Sequence, residues 1–138
     1  MIAAAAFAAA AASAQPPREQ LPASQEALAA VGEGTSDEEL ARMIAAADAY
    51  PIGSLENPVR VGGPEGALAY IARLRCSDGT APRPGAPVEG GPGGFGSLIH
   101  RFALDCGRAL PSKATLFVDY YHEGHVEPRV PAGFVPAR

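Results

Sequence analysis

Apolar and polar positions fall into regular patterns along a few stretches of this chain, and those stretches define its expected elements. Leu40, Met43, Ile44 and Ala47 recur at i, i+3, i+4 and i+7, the spacing that gathers apolar side chains into one stripe of a helix. Thr35 and Ser36 stand just upstream, each with a glutamate, Glu38 or Glu39, three residues on. That is the spacing of two overlapping capping boxes. Asp37, Glu38 and Glu39 also lie where the helix dipole favours negative charge. Pro51 disfavours helical backbone in the residue before it, so the pattern predicts a helix over Asp37–Ala49.

A period of two takes over further on. Leu98, His100, Phe102, Leu104 and Cys106 alternate with Ile99, Arg101, Ala103 and Asp105, which predicts a strand over Ser97–Cys106 with Cys106 on the apolar side. Leu116, Val118 and Tyr120 alternate with Phe117, Asp119 and Tyr121, predicting a second strand over Thr115–Tyr121. Pro58–Val61 reads as a short extended piece. Glu127–Val130 reads as an edge strand, where a proline's missing N–H is tolerated. Ala67–Cys76 supports two readings. Leu68, Tyr70, Ala72 and Leu74 alternate as in a strand, while Ala67, Tyr70, Ile71 and Leu74 fit a helix face behind Gly63-Pro64. Tyr and Ile favour pleated surfaces, so the strand is the expectation and the helix its alternative. The intervening Thr80–Gly96 is rich in Pro and Gly and reads as a long loop. The expected fold is α+β: a small, mainly antiparallel sheet of roughly three to five strands with one or two helices.

The first residues have a different character. Met1–Ala14 reads MIAAAAFAAAAASA, without a charged side chain, and closes on Ala12-Ser13-Ala14 before Gln15-Pro16-Pro17. An apolar run ending in small residues is the pattern of a cleaved signal peptide, although no Lys or Arg precedes it. It is too short for a membrane span, which takes about 20 apolar residues. The expected organisation is a signal peptide over Met1–Ala14, a flexible linker over Gln15–Gly34 and a single small domain over Thr35–Arg138. Within the linker, Ser24–Val31 has the makings of one or two helical turns that Gly32 and Gly34 would stop. The mature chain has no second apolar run of membrane-spanning length, and the expected location is periplasmic or secreted.

Composition narrows the function classes. Net charge is −4, and the 11 Lys and Arg residues are scattered, so there is no footprint for nucleic acid. The two cysteines, Cys76 and Cys106, form an even pair for which an oxidising compartment favours one disulfide. Direct antiparallel pairing of strands ending at Cys76 and Cys106 would hold those ends far apart. The bond therefore requires non-adjacent strands, a parallel pair, or the helical reading of Ala67–Cys76.

Three segments carry a resemblance: Gly53-Ser54-Leu55-Glu56-Asn57-Pro58-Val59-Arg60-Val61, Arg73-Leu74-Arg75-Cys76-Ser77-Asp78-Gly79 and Val118-Asp119-Tyr120-Tyr121-His122. They resemble segments of small exported proteins of alphaproteobacteria to which no activity is assigned. The resemblance covers residues 53–134. It implies export and one small domain, and it implies no activity.

Candidate chemistry is sparse. Gly91-Pro92-Gly93-Gly94-Phe95-Gly96 matches G-x-G-x-x-G in form, but that motif works between a strand and a helix, and here a strand follows. His122-Glu123-Gly124-His125 offers two imidazoles near Asp119 and Glu123, a start toward a zinc or copper site. Histidines three residues apart face opposite sides of a continuing strand, so only a turn at Gly124 would bring His122 and His125 together; His100 is a possible third member. No G-x-S-x-G elbow is present. Asp105 and Asp119 are expected on a solvated sheet face, paired with Arg73, Arg75 and Arg101. No catalytic or cofactor-binding residue is assigned. The expected function is a non-catalytic periplasmic or secreted binding or structural module with a protein or cell-envelope partner. The alternative is a metal-binding or hydrolytic protein centred on His122 and His125.

Overall fold

The computed structural model describes residues 36–138. The expected signal peptide over Met1–Ala14 and the whole of the expected linker over Gln15–Gly34, with its Ser24–Val31 turns, lie outside the described residues. The first helix, α1, spans Asp37–Ala47. The Ser36 hydroxyl caps it by accepting from the Glu39 N–H, and the first turn is acidic, as the sequence pattern implies. Only Ala47 of α1 is fully buried. The side chain of buried Asn57 donates to the Tyr50 carbonyl at 2.9 Å and so fixes the chain leaving the helix.

A short strand β1 (Val59–Arg60) leads into helix α2 (Gly63–Ala72), then β2 (Leu74–Arg75), β3 (Arg83–Pro84), β4 (Val88–Pro92), β5 (Leu98–Asp105), β6 (Lys113–Asp119) and β7 (Val135–Pro136). The main sheet has the order β1-β6-β5-β3, with β4 also on β5. The β1–β6 pair is parallel and the pairings of β5 with β3, β4 and β6 are antiparallel. The fold is thus α+β with a mixed, mainly antiparallel sheet. β2 and β7 form a separate antiparallel pair. Among the described residues no helix is long and apolar enough to cross a membrane.

The stretch before Cys76 corrects the strand expectation. Pro64 sits in the first turn of α2, where its missing N–H costs nothing. Ala67, Tyr70 and Ile71 face the core at helical spacing. Only Leu74–Arg75 is extended. Strand propensity of Tyr and Ile is overridden because the helical stripe of Ala67, Tyr70 and Ile71 packs into the core cluster. The core it closes contains Val59, Phe102, Leu104, Leu116, Val118 and Phe134.

The helical reading also removes the geometric difficulty with the cysteines. Cys76 follows β2 and Cys106 follows β5; they are joined by a disulfide with Cα atoms 5.9 Å apart, inside the bridging limit of about 7 Å. Cys76 is fully buried.

Two further expectations are corrected. Glu127–Val130 forms no strand; the late extended residues are Val135–Pro136. The Thr80–Gly96 stretch is not all loop, because β3 and β4 both lie along β5. The backbone of β5 offers an open edge with alternating donors and acceptors, and pairing satisfies them despite a poor strand composition.

Candidate functional site

The site is built on the sheet face opposite the core. In β5 and β6, Ile99 lies opposite Asp119, and Arg60 of β1 is the register partner of Asp119 on its other side. This face would be solvated if nothing covered it, yet Ile99 and Asp119 are both fully buried. The cover is the turn between β4 and β5. A Cβ on Gly93 would collide with Ile99 Cγ2, and one on Gly94 with the Glu56 carbonyl oxygen. Gly96 has φ +77°, open to glycine at no steric cost. Gly93 of the G-x-G-x-x-G match and its neighbour Gly94 therefore let backbone lie directly on a side chain and on another backbone. They line no phosphate cradle.

Beneath this cover Asp119 spends both oxygens. The Ser97 hydroxyl donates to Oδ2, and the Tyr121 N–H donates to Oδ1 at 3.0 Å. His122 Nε2 lies 3.2 Å from Oδ2, within ion-pair reach but not aligned as a hydrogen bond. The Phe95 ring meets His122 edge-on at 5.5 Å, and the Arg60 guanidinium stands 5.8 Å above the same ring.

A second buried carboxylate follows. Glu127 accepts from the Arg129 side chain at both oxygens, at 2.8 and 3.1 Å. Arg129 also reaches Asp48 at 2.9 Å, tying the end of α1 to the C-terminal segment. His125 Nε2 stands 3.6 Å from Glu127 Oε2. Burial opposes ionisation of Glu127, but the hydrogen bonds and charge of Arg129 outweigh it and hold the carboxyl below its ordinary value. The Tyr70 hydroxyl donates to the Arg129 carbonyl, and burial pushes its phenol well above the ordinary value.

His122 and His125 are joined by a turn, with the His125 N–H on the His122 carbonyl at 3.1 Å. The turn at Gly124, with φ +77°, does bend the chain, but each imidazole turns its Nε2 to a different carboxylate. Burial, then the Arg60 charge, depress His125 below its ordinary value despite the opposing pull of Glu127. His100 belongs elsewhere: it stacks on Tyr120 with ring centroids 3.9 Å apart, and burial lowers its pKa. Among the described residues no group of three or more His, Cys, Asp or Glu side chains converges as metal ligands.

The expected arginine pairings are corrected as well. Asp105 takes the Gly107 N–H, Lys113 and Arg83. Arg73 donates to the Glu127 carbonyl, Arg75 donates to the Ala72 and Leu74 carbonyls, and Arg101 is exposed. Sequence reasoning placed Asp119 on a wet face and missed Ser97 and Glu127 entirely. The one signal available was the glycine density of residues 90–96, which marks close backbone approach.

Compared with known protein families, curated proteins and solved structures, the chain matches none.

Proposed function

We propose that this protein is exported and acts outside the cytoplasm as a non-catalytic binding or structural module. The observation that carries the non-catalytic reading is the order of groups around Asp119. In an acyl-transfer triad the imidazole bridges hydroxyl and carboxylate, so that it can take the hydroxyl proton. Here the carboxylate is in the middle. Ser97, only 3% exposed, donates to Asp119 Oδ2, the same oxygen that His122 Nε2 faces at 3.2 Å, so the imidazole does not stand between hydroxyl and carboxylate. The two histidines face separate carboxylates, at 3.2 and 3.6 Å, and among the described residues no group of three or more His, Cys, Asp or Glu side chains converges as metal ligands. The disulfide supports an oxidising address, as does the apolar Met1–Ala14 stretch with its small-residue end.

The test uses protein isolated from its native host. Intact-mass analysis is expected to give an N-terminus at or near Gln15. A retained Met1 on all of the protein would overturn export. On the same material, zinc or copper is expected to leave the melting temperature unchanged. A ligand at 100 times its Kd adds about 2.7 kcal/mol of stability. A rise of several degrees, abolished by joint His122→Ala and His125→Ala substitution, would instead establish a metal site on the turn.

A further inference from the structure

The charges of α1 suit a helix at one end only. Asp37, Glu38 and Glu39 fill its first turn, but its C-cap is Asp48 and its last turn holds no base. The negative end of the helix dipole opposes a carboxylate there. The missing positive charge comes from 81 positions along the chain, where Arg129 Nη1 donates to Asp48 Oδ1 at 2.9 Å. Arg129 is itself a fixed mount. Its Nε and Nη2 are held by the buried Glu127 at 2.8 and 3.1 Å, which leaves Nη1 to face the helix. Apolar anchoring is slight by comparison. Ala47 is the one fully buried residue of α1, and Leu40, Met43 and Ile44 are only partly buried. A groove of about 360 Å³ lies between Met43, Ala46 and Tyr50 on one side and Leu55, Pro92 and Gly94 on the other. Just past the helix the chain is fixed again, because Asn57 donates to the Tyr50 carbonyl at 2.9 Å and Gly53 donates to the Asn57 carbonyl at 2.8 Å. An element with few buried apolar contacts, bounded by a fixed point, opens as a unit of its own.

We propose that α1 is an ionic latch: it swings off the domain as one piece, pivoting at residues 48–50, with the Asp48–Arg129 contact as its catch, while β5 and β6 stay folded. Opening parts the two walls of the groove, so the catch sets how often the wall of Leu55, Pro92 and Gly94 is uncovered. Both partners of the pair are partly exposed. A pair of that kind shifts an equilibrium only about two- to fivefold, which makes the catch weak enough to release in the folded protein. Glu127 acts on the latch through Arg129, as the group that positions the guanidinium.

Substitution at Asp48 separates the catch from the helix itself. Lysine has the higher helix propensity, and its charge suits the C-terminal end of the dipole. Asp48→Lys therefore strengthens α1 as a helix while it turns the contact with Arg129 into a repulsion. Asp48 is exposed, so the substitution leaves the core intact. Amide hydrogen exchange of the full chain is expected to be at least about threefold faster across α1 in Asp48→Lys, and about two- to fivefold faster in Asp48→Asn. Rates in β5 and β6 are expected to match the wild type in both variants. Slower or unchanged exchange across α1 would show that the dipole and helix propensity govern it, and would overturn the catch. Acceleration of α1, β5 and β6 in parallel would overturn the latch, because α1 would then open only as the whole domain unfolds.

Discussion

Asp119 and Glu127 are fully buried carboxylates, and each meets specific donors. Burying an unpaired carboxylate is costly enough that a group normally neutralises instead. Asp119 satisfies its oxygens with the Ser97 hydroxyl and the Tyr121 N–H. Asp119→Ala would leave those donors unsatisfied, at roughly 1–3 kcal/mol for each that stays buried. Urea unfolding is expected to show a loss of that order, and a change within about 0.5 kcal/mol, typical of surface substitutions, would show that the network is not structural. The histidines predict a pH dependence. Burial holds both His100 and His125 below the ordinary value of 6.5. A folded pKa below the unfolded one means the unfolded chain binds the proton more tightly. Their contribution is therefore fully present above about pH 7 and is lost as pH falls through 6.5 toward the folded values. The melting temperature is expected to drop between pH 7.5 and pH 5.5. His125→Gln should flatten part of that drop, and an unaltered slope would locate the effect elsewhere.

The β4–β5 hairpin is the element that decides whether the outer sheet face is wet or dry. Its turn lies on Ile99 and Glu56 through glycines. At Gly93 an added methyl would meet the end of a side chain, Ile99 Cγ2, whereas at Gly94 it would meet the Glu56 backbone. Side chains can yield by changing rotamer, but backbone cannot do so without moving the turn. Gly94→Ala is therefore expected to cost at least the roughly 1–3 kcal/mol typical of overpacking. It should also raise amide exchange at Ile99 and Asp119, which the turn covers. A stable variant with unchanged exchange would mean that the turn does not seal this face. Helix α2 teaches the converse lesson. Its sequence fits period two and a helical stripe about equally well, and the choice fell to the partner it packs on.

The disulfide acts on the whole molecule. It joins the end of β2 to the end of β5 across a separation of 30 residues, so it links the β2–β7 pair and α2 to the main sheet. In the chain-entropy model closing such a loop contributes about 3–4 kcal/mol, a large share of a typical net stability of about 5–15 kcal/mol. Reduction, or paired Cys76→Ala and Cys106→Ala substitution, is expected to lower stability by about 2–4 kcal/mol. Amides of β5 should lose protection before those of α1, which is fastened independently through Asp48–Arg129 and Asn57–Tyr50. Simultaneous loss in both would show that α1 and the sheet unfold as one unit.

Local chemistry alone determined several features. The cap and dipole of α1, the alternation that makes β5 and β6, the pairing of Cys76 with Cys106 and the bend at Gly124 all depend on neighbours in the chain or on an even count of thiols. Other features came from contacts between distant residues, which no local period encodes. The parallel docking of β1 on β6 brought Arg60 beside Asp119. The descent of residues 93–94 onto Ile99 and Glu56 turned an expected solvated aspartate into a buried one. The turn after β6 sent His122 and His125 to separate carboxylates rather than to a common ion. In each case a polar side chain's role was set by whether water could still reach it, and that depends on what the rest of the chain lays over it.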